Sequence, residues 1–149
     1  MKVNGVIQRK LALLDVQVVK LHEMLEGVSY GEFAESWTYR SASERALQVA
    51  CEIMIDVAER IISLQQAGPV ASATEAMDKL VSLQVIPNAD PFRHMVRFRN
   101  FIVHQYEEID PEILFSLATR RLKDFQLYRD MIDQWNADDE KHKKVPKGI

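Results

Sequence analysis

The sequence predicts an all-α fold, an antiparallel bundle of about five helices, and three observations carry that prediction. Apolar residues recur at alternating spacings of four and three along most of the chain. Helix-start and helix-stop signals separate these stretches and leave room for only short loops. No segment shows sustained period-two alternation bounded by hairpin dipeptides, so no sheet competes. With 149 residues, 47% hydrophobic and 28% charged, the chain suits one domain with a substantial core.

Val3, Ile7, Leu11, Leu14, Val18, Leu21 and Leu25 write the buried face of a first helix, and Gly27 stands where a C-terminal cap is needed. A stretch with Tyr30, Gly31, Phe33, Trp37 and Tyr39 follows, read as a loop whose rings pack over the bundle end. A second helix is expected from Ser41, with Glu44 three residues on as a capping box. Its buried side is Leu47, Cys51, Met54, Ala58 and Ile61, and Gly68-Pro69 stops it. Ser72 and Glu75 repeat the capping-box spacing before a short helix through Met77, Leu80 and Val81, which Pro87 ends. Asp90 and Pro91 then offer an N-cap and a first-turn proline, as do Asp110 and Pro111 for the last helix. There Leu114, Ala118, Arg121, Phe125, Tyr128, Ile132 and Trp135 keep the alternation with one charged interruption. From Asn136 the charged run through Lys144 reads as a solvated, frayed tail, dividing the chain into a domain over 1–135 and a tail over 136–149.

Composition excludes several function classes. Lys and Arg total 19 against 22 Asp and Glu, so the formal charge of −3 gives no global pull toward nucleic acid. RNA contact must rest on local clusters such as Arg93, Arg97 and Arg99, or Arg120, Arg121 and Lys123. A single cysteine, Cys51, allows neither an internal disulfide nor a thiolate cluster, and its setting reads as a small residue in a helix. The glycines are scattered, so no phosphate-cradling loop appears, and no Glu-x-x-His pair of a di-iron bundle is present. His22 and His142 have no partner at ligand spacing, and His94 reads as exposed. No metal and no cofactor are therefore expected. No apolar run approaches a membrane span, and Met1–Gly5 lacks the features of a signal peptide, so a cytoplasmic protein with no membrane partner is expected.

Chemistry concentrates in Arg99-Asn100-Phe101-Ile102-Val103-His104-Gln105-Tyr106. A core helix does not need these polar side chains. An arginine neutralises phosphate, and a histidine moves protons near neutral pH. On an ideal helix residues 99 and 104 lie about 140° apart, whereas His104 stacks with Asn100 and Arg99 aligns with Tyr106. A single ideal helix therefore cannot aim both stripes at one phosphate, although two copies about a two-fold axis can share a cleft. Arg45 of the second helix and Arg97 are further candidates for RNA contact, alongside Glu44 and Glu52, though such residues more often form surface pairs. The plainer readings pair Arg99 with Glu107, leave His104 as a satisfied histidine near a helix end, and pack Tyr106 against a carbonyl.

Arg99-x4-His104-x-Tyr106 resembles the Rx4HxY signature of HepT-like toxins in the HEPN superfamily. Asn100 fits the wider HEPN pattern. Glu44-Arg45-Ala46-Leu47-Gln48 and the segment Phe98 to Asp110 are similar to that family's two most recognisable blocks. The resemblance spans the first helix to about Trp135. It implies a homodimeric, metal-independent ribonuclease, the toxin of a prokaryotic toxin–antitoxin module. Its antitoxin partner would be a minimal nucleotidyltransferase that moves AMP from ATP onto the motif tyrosine. Carried over, Arg99 and His104 are catalytic, Asn100 and Tyr106 support them, and Tyr106 is the AMPylation position. The chemistry implied is attack of a 2′-hydroxyl on the neighbouring phosphorus, which leaves DNA uncut. Two alternatives stand beside it: a catalytically silent HEPN domain that binds a nucleotidyltransferase and/or a nucleotide, and a purely structural helical dimer.

Overall fold

A computed structural model describes residues 3–104 and 108–144, with side chains placed for 5–104 and 108–139. The described residues form seven helices and no strand: α1 (Val3–Leu25), α2 (Tyr30–Glu35), α3 (Trp37–Leu64), α4 (Ala73–Ser82), α5 (Asp90–His104), α6 (Pro111–Ala118) and α7 (Leu122–Lys144).

α3 is the axis of the bundle. Its buried residues include Leu47, Ala50, Cys51, Met54, Ile55, Val57, Ala58, Ile61 and Ile62, an apolar face too broad for one neighbour. It packs on α1, α4, α5 and α6, and more lightly on α2 and α7. α1 runs antiparallel to it: Lys10 pairs with Asp56, while Leu21 and Met24 lie beside Ala42 and Ala46. The four-three alternation of α1 is borne out, with Ile7, Leu11, Leu14, Val18, Leu21 and Leu25 all buried. Each such side chain stabilises the fold by about 1.5–3 kcal/mol through burial. Tyr128 of α7 reaches the centre, donating its hydroxyl to the Met54 carbonyl at 2.8 Å with its ring edge-on to Phe92.

Several boundaries differ from the sequence expectation. The segment expected as a loop contains α2, because the Ser29 hydroxyl accepts from the Glu32 N–H and caps a turn. Phe33 of that helix is fully buried against Phe115, whereas Trp37 is 72% exposed. α3 begins at Trp37 and not at Ser41: the Ser36 hydroxyl accepts from the Tyr39 N–H at 3.0 Å, so Ser41 and Glu44 lie inside the helix. No glycine or proline separates Ser36 from Ser41 to delay the start. At the far end Leu64 closes α3 before Gly68-Pro69, because Gln66 turns the chain with φ of 53°. Gln84, at 61°, does the same after α4, ahead of Pro87.

The expected last helix is two. The chain breaks at Thr119, whose hydroxyl turns back to the Phe115 carbonyl, while the Arg121 N–H reaches the Ser116 carbonyl at 2.8 Å. Arg121, the charged interruption, is exposed at this corner. The segment expected to be a frayed tail is helical as far as Lys144, and Asn136 is buried. Two start signals hold as read, Ser72 capping α4 and Asp110 capping α6 with Pro111 in its first turn. Gly27 sits past α1 at φ of 75°, the left-handed geometry a cap requires.

Candidate functional site

α5 carries the motif, and its start is fixed by polar contacts. Asp90 is already helical, not the N-cap: its N–H donates to the Asn88 side chain, and the Ala89 carbonyl accepts from Arg93 at 2.9 Å. Arg93 then bonds Asp78 of α4 at 2.8 Å, and the attraction of that carboxylate holds the guanidinium charged. Phe92, Met95, Val96 and Phe98 bury the middle of the helix. Beyond them α5 leaves the core. Arg99 and Asn100 are half-buried, and His104, its last residue, is exposed.

One recess of about 400 Å³ gathers Arg99, Asn100 and His104 of α5 with Glu59 of α3 and residues 70–73 leading into α4. Arg99 and His104 thus border one cavity, although an ideal helix separates them by about 140°. The backbone directions do diverge, but the Arg99 side chain is long enough to swing round. Its Nη1 donates to Asn100 Oδ1 at 2.9 Å, on the stripe that Asn100 shares with His104. Asn100 thus steers the guanidinium onto the histidine's side of the helix.

The polar contacts of Arg99 bear on the same recess. Among the described residues Arg93 and Arg129 are each held by carboxylates, and Arg99 by none. Its Nε, like that of Arg60, is buried with no hydrogen-bond partner. A guanidinium with no carboxylate partner, lining an open recess, is suited to an anionic ligand. The pairing with Glu107 and the placement of Tyr106 both lie outside the described residues. Cys51 is close enough to feel the Arg99 charge, yet burial dominates and pushes its thiol well above the ordinary 9.0. It is a packing residue, as its sequence setting implied.

The remaining candidates do not join this recess. Arg45 is exposed beside α1, in a shallow depression with Gln17, Lys20 and Met24. Arg97 and His94 face a different groove of about 700 Å³ between α5 and α6, with Phe98, Phe101, Ile113 and Arg120. That groove is the larger of the two, but it is mostly apolar with charges of both signs on its rim. Glu52 accepts from Gln48 along α3. Sequence reasoning missed Glu59 and the 70–73 segment, since only the packing of α3, α4 and α5 brings them to the motif. Among the described residues no three His, Cys, Asp or Glu side chains come together to hold a metal ion, and no helix is long and apolar enough to cross a membrane.

The comparisons agree with the family resemblance. The chain is 28% identical over 131 residues to the mRNA nuclease HepT of Shewanella oneidensis, covering 87% of this chain and 97% of that one. It is 26% identical over 132 residues to the tRNA nuclease HepT of Aphanizomenon flos-aquae, covering 87% and 89%. The solved structure of a tri-AMPylated Shewanella oneidensis HEPN toxin in complex with an MNT antitoxin superposes with a TM-score of 0.80 at 27% identity, covering 90% and 99%. Residues 14–132 match the family described as ribonuclease HepT-like, and the chain belongs to that family.

Proposed function

We propose that the chain is a metal-independent endoribonuclease, the toxin of a toxin–antitoxin pair, and that the Arg99–Asn100–His104 recess is where it cuts RNA. The observation that carries the proposal is the Arg99 guanidinium, with no carboxylate partner among the described residues and held by Asn100 on the wall that also bears His104. A phosphodiester in the recess receives charge stabilisation from Arg99, which matters most as the phosphorus gains a fifth oxygen. His104 exchanges a proton with the 2′-hydroxyl nucleophile or with the departing 5′-oxygen. Asn100 acts through Arg99 and is a positioning residue. The recess is large enough for a nucleotide-sized ligand.

Cleavage needs both a proton acceptor and a proton donor. A homodimer supplies a second His104, and Phe101 and Val103, exposed on the motif helix, provide apolar surface for α5 to pair with its copy. Tyr106 is the residue a nucleotidyltransferase antitoxin AMPylates, adding a bulky anionic group to the motif. The AMPylated toxin bound to an MNT antitoxin supports this partner. An RNA-cutting toxin held by a nucleotidyltransferase that uses ATP is read as a cytoplasmic protein.

Kinetics with purified protein, free of its partner, test the assignment. His104→Ala is expected to lower kcat by at least about 100-fold while leaving the fold intact, because the side chain is exposed. Full activity in that variant would reject the site. Incubation with ATP and the cognate transferase is expected to add AMP to the wild type and not to Tyr106→Phe, as read by intact mass.

A further inference from the structure

The recess does not end at His104. Glu59 and Val70 line both it and a second depression of about 440 Å³, whose walls are Ile62, Ser63, Gln66, Gly68 and Pro69. The two arms share that wall, and the far one, unlike the near one, is lined by no basic side chain. Its charged group is Glu59, on the wall shared by the two arms, and Glu59 has no ion-pair partner among the described residues. Beside it stand a hydroxyl, an amide and the apolar edges of Ile62, Pro69 and Val70. Such a set suits a flat heterocycle with polar edges.

The backbone there is firm. Gln66 takes φ of 53°, with its N–H on the Ser63 carbonyl at 3.1 Å and the Ala67 N–H on the Ile62 carbonyl at 3.0 Å. The turn lies so close to α3 that a Cβ on Gly68 would come within 3.2 Å of Ile62 Cγ2.

We infer that this arm is a nucleobase subsite, holding the base of a nucleotide next to the scissile phosphate, and that Glu59 makes it favour bases bearing an exocyclic amino group. The inference rests on the ribonuclease reading of the recess. A carboxylate is acceptor-only, so it takes the N4 amino group of cytosine and meets the O4 carbonyl of uracil with like polarity. Glutamine at the same position offers both a donor and an acceptor and loses that preference. Ser63 and Gln66 adapt to either base, and the apolar edges pack against the ring.

The test separates base reading from cleavage by using 2′-O-methylated octamers of cytidine and of uridine, which the 2′-hydroxyl chemistry cannot cut. Fluorescence anisotropy gives Kd for each with wild type and Glu59→Gln. The expected result is cytidine bound about tenfold or more tighter than uridine by wild type, with the ratio collapsing toward one in Glu59→Gln. Removing a negative charge strengthens both complexes alike, so the ratio isolates the base contact. Equal affinities in wild type, or an unchanged ratio in the variant, overturn the subsite. Unmethylated RNA assayed in parallel keeps the two readings apart. Discrimination without cleavage upholds the subsite and removes the nuclease, whereas cleavage lost with His104→Ala and indifferent to Glu59 does the reverse.

Discussion

Arg99 is the residue on which the account turns, and its geometry makes its substitutions separable. Arg99→Ala removes the charge beside the phosphate and is expected to cost about 100- to 1,000-fold in kcat. Arg99→Lys keeps the charge and loses the planar donor that reaches Asn100, so it recovers only part of that loss. Asn100→Ala leaves the guanidinium unsteered, and a smaller loss in kcat with little change in KM is expected. An equal loss of both parameters in all three variants would contradict the positioning role. At this scale the sequence was informative about identity and silent about arrangement. The spacing of Arg99, Asn100 and His104 was plain, but that Arg99 crosses to the histidine's side depends on a side-chain torsion that no pattern encodes. Glu59 had no signature at all, lying forty residues from the motif.

Elements were legible wherever the apolar period was long, and their ends wherever a cap stood alone. The buried face of α1 from Ile7 to Leu25 and the expected core positions of α3 matched, because burial follows the 3.6-residue repeat. The start of α3 was misplaced because two serines compete. Ser36 closes α2 by donating its N–H to Phe33 and opens α3 with its hydroxyl, whereas Ser41 sits mid-helix. Ser36→Ala is therefore expected to destabilise the protein by about 1 kcal/mol, and Ser41→Ala by less than about 0.5 kcal/mol, in urea unfolding. The reverse order would place the helix start where the sequence pattern put it. The break between α6 and α7 escaped notice for a related reason. Thr119 and Arg121 carry no glycine or proline, and the hydrophobic period continues in step across the corner.

The whole molecule is held by one central helix, and two buried titratable groups report on it. Burial pushes the Cys51 thiol above its ordinary 9.0 and the Tyr128 phenol above its ordinary 10.0. Both are neutral when protonated, so the folded chain keeps protons that the unfolded chain releases. Their contribution is complete below pH 9 and is lost as pH rises past 9 and then 10, by about 1.4 kcal/mol per pH unit for each group. Thermal denaturation is expected to show Tm falling above pH 9. Cys51→Ala should flatten the first part of that limb and Tyr128→Phe the second, although the latter starts lower by about 1 kcal/mol for its bond to Met54. A limb unchanged in both variants would mean that other groups set it. Fold class was readable from the start at this scale. The convergence of α3, α4 and α5 on the recess was not, since it arises from packing among helices far apart in sequence.

The end groups of the RNA products test the central claim most directly. Purified, unmodified protein is incubated with a mixed RNA in excess EDTA, and the new termini are identified. Internal attack by a 2′-hydroxyl assisted by His104 and Arg99 predicts a 2′,3′-cyclic phosphate on one fragment and a 5′-hydroxyl on the other, absent with His104→Ala. Products bearing 5′-phosphates, or cleavage abolished by EDTA, would contradict the account.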